Sequence, residues 1–305
     1  MADRLMLLDT ASLYFRAFYG VPDTVKAPDG RPINAARGLL DMIAKLVGTY
    51  EPTHVIACWD DDWRPQWRVD LIPTYKTHRV AEVIEAGPDV EEVPDPLTVQ
   101  LPVIRDELRA LGIPIVGHAE HEADDVVASF ASQSPLPVDV VTGDRDLFQL
   151  VDDDRRVRVI YTGRGMSKLE VLDGAAVVAK YGVLPDQYAD FAVLRGDASD
   201  GLPGVAGIGE KTAAALLAAH GALAGIVAAA AADGVMAAGV RAKITAAADY
   251  IAVAPRVVEV VRTLDVPDVD ARLRTPDPLD LTRVDAAWNL GSALTRAAAA
   301  IAARA

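Results

Sequence analysis

Asp139-Val140-Val141-Thr142-Gly143-Asp144 is a short apolar run closed by glycine and aspartate. It reads as a buried strand whose chain leaves the sheet at a carboxylate, because β-branched residues suit a pleated layer and aspartate disfavours its interior. The pattern recurs outward from there: Leu5-Met6-Leu7-Leu8 runs into Asp9, and Val55-Ile56-Ala57-Cys58-Trp59 runs into Asp60. Val157-Arg158-Val159-Ile160-Tyr161 supplies a fourth strand. Helix-like segments such as 34–50 alternate with these runs, which predicts an α/β fold with a central, mainly parallel sheet. In such sheets the carboxyl ends of the strands meet at a crevice where sites are built. One aspartate at a strand end is an ordinary turn or N-cap residue. Three such ends together point to a common acidic site.

The 305 residues allow one large domain or two modest ones, and 51% hydrophobic content predicts a real core, part of it alanine. A single cysteine, Cys58, excludes an intrachain disulfide and reads as a small buried hydrophobe. The run Leu5 to Leu8 is too short for a signal peptide, and no uninterrupted apolar stretch has membrane-spanning length. The expectation is a cytoplasmic protein with no membrane partner. A net charge of −14 opposes nucleic acid only if the carboxylates are spread evenly, and they are clustered.

His121-Glu122-Ala123-Asp124-Asp125-Val126 reads as a helix start. Acidic residues in a first turn suit the helix dipole, yet three carboxylates within four positions repel one another unless a cation offsets them. Thr142-Gly143-Asp144-Arg145-Asp146-Leu147 repeats the logic, and Gly196-Asp197-Ala198-Ser199-Asp200-Gly201 adds a pair that alone would pass for loop chemistry. The candidate ligands are therefore Asp9, Asp60, Glu122, Asp124, Asp125, Asp144, Asp146, Asp197 and Asp200. Phosphodiester hydrolysis by two cations roughly 4 Å apart needs such a set. No histidine or cysteine cluster argues for zinc, and oxygen ligands suit magnesium or manganese.

Gly204-Val205-Ala206-Gly207-Ile208-Gly209-Glu210-Lys211-Thr212 opens a helix with a glycine hairpin. It is either a tight inter-helix turn or a clamp presenting backbone N–H groups to phosphate. Tyr75-Lys76-Thr77-His78-Arg79 carries a basic pair, read either as charge balance or as stabilising charge on a reacting phosphate. Trp63 and Trp67 could stack on bases, whereas Trp59 suits the core. His118 and His121 receive no catalytic role. Between Arg79 and Arg105, Glu82, Glu85, Asp89, Glu91, Glu92 and Asp95, with Pro88, Pro94 and Pro96, read as a mobile insertion.

In order, Leu7-Leu8-Asp9 with Phe15-Arg16, Trp59-Asp60, Tyr75-Lys76, Glu122 to Asp125, Thr142 to Leu147, Asp197 to Asp200 and the Gly207 to Thr212 hairpin resemble the 5′ nuclease family. That family includes flap endonucleases and the 5′-3′ exonuclease domain of DNA polymerase I. The resemblance implies a PIN-like α/β core, a helix–three-turn–helix DNA-binding region and an arch over the active site. It implies that the nine acids bind two or three Mg2+ or Mn2+ ions, and that Lys76 and Arg79 contact the reacting phosphate. Arg16, Tyr75, Gly207, Gly209, Lys211 and Thr212 would bind DNA, with potassium often held by hairpin carbonyls in the family. The implied partners are DNA with 5′ flaps, nicks, gaps or 5′ ends, RNA–DNA hybrids, and a separate polymerase and ligase.

The expected organisation is a core over 1–183 with the arch at 76–104, a DNA-binding region over 184–264, and a C-terminal segment over 265–305 packing back on the core. Lys76 to Glu122 spans 122 − 76 = 46 positions, longer than in polymerase-linked relatives, and the stretch is acidic rather than basic. Two alternatives from other classes compete with this reading. A catalytically silent DNA-junction binder would have lost acidic ligands, and a PIN-type ribonuclease would generally lack the glycine clamp.

Overall fold

An uninterrupted apolar run satisfies a strand covered on both faces, and β1 (Leu5–Asp9) is buried at every position. The computed structural model describes residues 3–24, 26–84, 89–232 and 234–305, so Glu85 and Pro88 of the acidic insertion lie outside the described residues. After β1 come β2 (His54–Cys58), β3 (Val80–Glu82), β4 (Val90–Glu91), β5 (Ile115–Val116), β6 (Val138–Thr142), β7 (Val157–Tyr161) and β8 (Glu170–Leu172). Six of them form one sheet in the order β5-β2-β1-β6-β7-β8, parallel except for β8. Leu5 stands level with both His54 and Val138, so the carboxyl ends of β2, β1 and β6 lie side by side.

Helices α1 (Thr10–Gly20), α2 (Asn34–Tyr50), α3 (Gln66–Leu71), α4 (Asp95–Thr98), α5 (Leu101–Ala110), α6 (Ala123–Gln133) and α7 (Gly174–Tyr181) accompany the strands. Alternate strand residues feed two cores. Met6, Leu8, Val55, Ala57 and Val141 pack with Leu13, Leu39, Ile43 and Ile104 of α1, α2 and α5. Leu5, Leu7, Ile56 and Val140 pack on the other face with Val126 and Val127 of α6 and with the second half of the chain. That half is α8 (Tyr188–Arg195), α9 (Glu210–His220), α10 (Leu223–Ala231), α11 (Ala238–Ala246) and α12 (Ala248–Val258), then α13 (Pro278–Trp288) and α14 (Ser292–Ala302). Beyond α12 the chain runs beside β2, where Val55 N donates to Ala271 O and Leu273 N to Thr53 O, and α14 packs on α2. Among the described residues no single helix is long and apolar enough to cross a membrane.

The insertion departs from the expectation of a segment held outside the core. β3 and β4 pair as an antiparallel hairpin, tied down by a buried Arg64–Asp89 ion pair and by Trp63 Nε1, which donates to Asp89 O at 2.7 Å. Farther on, Leu97 and Gln100 are fully buried, and Gln100 Oε1 accepts from Ala35 N at 2.8 Å. Among the described residues the longest exposed run of the insertion is on the β3 side of the hairpin, and prolines and acids in the sequence masked the anchoring residues beyond it.

Glu107 of α5 is fully buried, and neither carboxylate oxygen has a partner among the described residues. Burial holds its carboxyl well above the usual range. Because the folded state favours the protonated form, this residue costs stability increasingly as pH rises above its unfolded pKa. Glu107→Met is expected to stabilise the fold at pH 7 by about 1–3 kcal/mol, with the gain shrinking toward pH 4. Urea unfolding of both proteins across that pH range would test this, and a destabilised variant would count against it.

Candidate metal centre and nucleic-acid interface

The side-by-side strand ends deliver their acids to one crevice. Asp9, at the end of β1, caps α1 by accepting from Ser12 N at 3.2 Å, while its other oxygen accepts from Thr142 Oγ1 at 2.6 Å. Asp60, just past β2, accepts from Ala123 N at 2.7 Å, which locks it to the first turn of α6. Asp144, just past β6, accepts from Asp146 N at 2.8 Å. Gly143 before it is closely packed: a Cβ there would stand 2.6 Å from Ser12 Oγ, and the serine would have to turn aside. These three acids, with Glu122 and Asp124 of the α6 start, line a cavity of about 230 Å³ that also admits Lys76, Arg79 and Phe15.

Asp146, Asp197 and Asp200 lie on the far side of Asp144. Burial raises Asp146 well above its usual value, and the charges of Asp144, Asp200 and Asp197 add to it. Asp197 is held by Arg195 Nη2 at 3.0 Å and by Ser199 N at 2.8 Å. The Asp200 loop is stitched to the segment after α3, since Lys76 N donates to Asp200 O at 2.9 Å and Thr74 Oγ1 to Gly201 O at 2.9 Å. Gly201 allows this approach, with φ of +70° and Thr74 O only 2.1 Å from where a Cβ would be. Arg79 Nη2 completes the link at 3.2 Å from Asp200 Oδ1 and 2.8 Å from Ser199 O.

Without a cation this arrangement is electrostatically costly. Burial, opposed by the Thr142 hydroxyl and reinforced by Asp60 and Asp144, lifts Asp9 to about 7. Burial, with the charges of Asp9 and Asp144, raises Asp124 well above its usual value, and burial lifts Asp200 to about 6. Asp146 Oδ1 is buried with no partner among the described residues. An oxygen-only donor set, a buried orphan oxygen and mutual repulsion all fit hard divalent cations. Among the described residues no three carboxylates yet converge at ligand distance, so closing on an ion requires side-chain rotation.

Two sequence assignments are corrected by the geometry. Asp125 does not face the crevice: it is fully buried and forms a two-pronged pair with Arg68 at 2.7 and 2.8 Å. Val261 N, at 2.8 Å, and Glu122 N, at 3.3 Å, also donate to its oxygens. No lone pair remains for a metal. Tyr75, expected on the DNA, is 3% exposed and donates its hydroxyl to Glu122 Oε1 at 2.7 Å. Its role is to aim Glu122, which Lys76 Nζ also holds at 2.5 Å. Burial alone would lower Lys76, but Glu122 keeps the ammonium protonated well above its usual range. Lys76 sits in the left-handed region, φ +49°, at the entry of a short turn.

The crevice also contains Glu91 of β4, which the sequence reading left within the insertion. Burial and the Asp60 charge lift it to about 7. Nothing local marked it, because its place depends on the hairpin folding back over β2. Trp63 lines the crevice too, whereas Trp59 is buried beneath Arg105, at 4.1 Å from its ring centroid. Trp67 is tied to Glu120 O at 3.0 Å, and His118 and His121 stack edge to face beside it.

The glycine hairpin lies between α8 and α9. Gly207 is exposed with φ +75°, and Gly209 caps α9 without a side-chain bond, so no side-chain acceptor covers the first N–H groups. Exposed Lys211 and half-buried Thr212 follow in the first turn. Lys243 of α11, overlooked in the sequence, donates to Gly207 O at 2.9 Å. Residues 184–264 hold six Lys and Arg against eight Asp and Glu, Asp197 and Asp200 among them. Positive charge at the hairpin is thus local to Lys211 and Lys243 rather than a property of the region. Arg16 of α1 does not line the crevice itself but an adjoining cavity, with Ser12 and Phe15.

Two family models match successive parts of the chain. Residues 4–182 match the 5′-3′ exonuclease N-terminal resolvase-like domain, and residues 183–279 match the 5′-3′ exonuclease C-terminal SAM fold. A 5′-3′ exonuclease of Streptomyces coelicolor is 57% identical, with 95% of this chain and 98% of that protein covered. One from Mycobacterium tuberculosis is 48% identical over 97% of each chain. A solved structure of the bacteriophage T5 flap endonuclease, complexed with DNA and metal ions, has a TM-score of 0.64 at 19% identity, covering 99% of this chain and 98% of that one.

Proposed function

The chain belongs to the 5′-3′ exonuclease family, and on that premise we propose that it hydrolyses DNA phosphodiesters at 5′ flaps, nicks, gaps and 5′ ends. The observation that carries the reading is the meeting of Asp9, Asp60, Glu122, Asp124 and Asp144 in one crevice with Lys76 and Arg79. Asp146, Asp197 and Asp200 form a second group across Asp144. Two Mg2+ or Mn2+ ions held by these eight acids would supply positive charge for the attacking water and the leaving oxygen. Lys76 and Arg79 orient the scissile phosphate and offset its developing charge. Tyr75 and Lys76 fix Glu122, and Arg68 behind them keeps the α6 start in place.

The hairpin would grip duplex backbone through its N–H groups, Lys211 and Thr212. A potassium ion there would have to displace the Lys243 ammonium from Gly207 O. Cytoplasmic replication or repair, RNA primers on DNA, and cooperation with a separate polymerase and ligase belong to the same proposal. Lys243→Ala is expected to weaken binding of duplexes of any sequence and to reduce the salt slope by about 1. Titrations at several salt concentrations would check it, an unchanged slope counting against the contact.

The deciding experiment incubates the protein with a 5′-labelled flap duplex in magnesium, in manganese and in chelator. Short products near the junction, formed only with metal, are expected. Intact substrate that still shifts on a native gel would replace this reading with a silent junction binder, and equal cutting of structured RNA would favour a ribonuclease.

A further inference from the structure

We propose that the cavity between α1 and α2 receives the 5′-terminal nucleotide of the strand being cut, with Arg16 binding its phosphate; this rests on the nuclease reading above. The cavity measures about 770 Å³ and shares Ser12 and Phe15 with the acidic crevice, so the two are joined. Its volume lies within the range of small-molecule sites.

Arg16 Nε is buried and has no acceptor among the described residues. Buried donors are almost always paired, so an acceptor is missing from this picture. Thr162 Oγ1 is buried and unpartnered as well. Another atom of the same guanidinium, Arg16 Nη2, flanks Gly143 together with Thr162 Oγ1: a Cβ there would stand 3.3 Å from each. The guanidinium therefore lies at the seam between cavity and crevice, beside the residue that precedes Asp144. A phosphate there would meet a fork of donors that matches its oxygens.

Charge favours an anion. Arg16 and Lys45 are the cations of the lining, and its acid, Asp41, is already paired with Arg296 at 2.7 Å. In a chain of net charge −14 such a local excess is informative. The remaining walls favour a base over a bare anion. Phe15, Met42 and Met166 are apolar, and Tyr19 stands 73% exposed at the rim, an aromatic face open to stacking. A phosphate joined to a flat, weakly polar ring matches both halves.

The test uses nicked duplexes identical except for a 5′-phosphate or a 5′-hydroxyl, cut by the wild type, Arg16→Met and Lys45→Met. In parallel, binding of deoxyadenosine 5′-monophosphate, deoxyadenosine and inorganic phosphate is measured by calorimetry in chelator. The wild type should prefer the phosphorylated end by about tenfold in KM, and bind the monophosphate about tenfold more tightly than either fragment. Arg16→Met should abolish both preferences, and Lys45→Met should reduce them. Metal-dependent cutting with equal use of both ends overturns the cavity while leaving the nuclease reading intact. Absence of any cutting overturns the nuclease reading, and the calorimetry then decides the cavity alone. Inorganic phosphate binding as tightly as the nucleotide would overturn it in favour of a bare anion site.

Discussion

Asp144→Asn is expected to lower cleavage of a 5′-labelled flap duplex in magnesium by roughly a thousandfold, while raising the melting temperature of the metal-free protein by a few degrees. The two effects share one cause. Asp144 stands between the acids of the crevice and the group of Asp146, Asp197 and Asp200, and its charge raises Asp9, Asp124, Asp146 and Asp200 alike. Without a cation, removing that charge relieves repulsion on the order of 1–2 kcal/mol. With cations, the same substitution removes the carboxylate nearest to both groups.

The pH dependence follows with a definite sign. Asp9 at about 7 and Asp200 at about 6 lie above the usual aspartate value of 3.8, so the folded state binds more protons than the unfolded state between those limits. Metal-free stability therefore falls as pH rises from about 4 to about 7 and levels beyond. Metal binding needs the ionised forms, so the stabilisation given by magnesium should grow over the same window. Thermal melts in magnesium and in chelator from pH 5 to 8 would check this. A variant that cuts normally, or whose chelated form melts lower than the wild type, would remove Asp144 from its bridging place.

The parts of this site legible in the sequence are those fixed by local chemistry. Asp9, Asp60 and Asp144 each follow a buried run directly, so recognising the strand also locates the acid. Glu122 and Asp124 open a helix whose apolar face starts at once, and the glycine hairpin is set by positive φ at consecutive turns. What stayed illegible depends on partners distant in sequence. Glu91 reaches the crevice only because β3 and β4 fold back, and Lys243 meets Gly207 across 36 positions. Tyr75 looked like a surface aromatic beside two cations, yet its hydroxyl points inward to Glu122, 47 positions away. The second core of the insertion was hidden by composition, since Leu97 and Gln100 sit among prolines and acids.

Asp125 is the sharpest of these cases, because its neighbours at 122 and 124 do face the crevice. On a helix a step of one residue turns the side chain by about 100°, so adjacent acids need not share a site. Its carboxylate instead joins three elements: α3 through both Arg68 amino groups, the Glu122 backbone before α6, and Val261 beyond α12. Arg68 in turn donates to Val257 O at 3.1 Å and approaches Glu122 Oε1 at 3.3 Å. Breaking one side of such a buried pair leaves an uncompensated charge, so Asp125→Asn is expected to cost about 3–5 kcal/mol of folding stability. Replacing both partners together, Arg68→Met with Asp125→Leu, should recover part of that loss, because no lone charge then remains buried. Glu122 still has Lys76 and Tyr75 to hold it, so metal affinity of the folded Asp125→Asn protein should stay within about tenfold of the wild type. Urea unfolding together with manganese titration at low temperature separates the two roles. A variant of normal stability that no longer binds manganese would return Asp125 to the ligands; lowered stability with retained binding makes it the fastening that holds the crevice wall to the helical half.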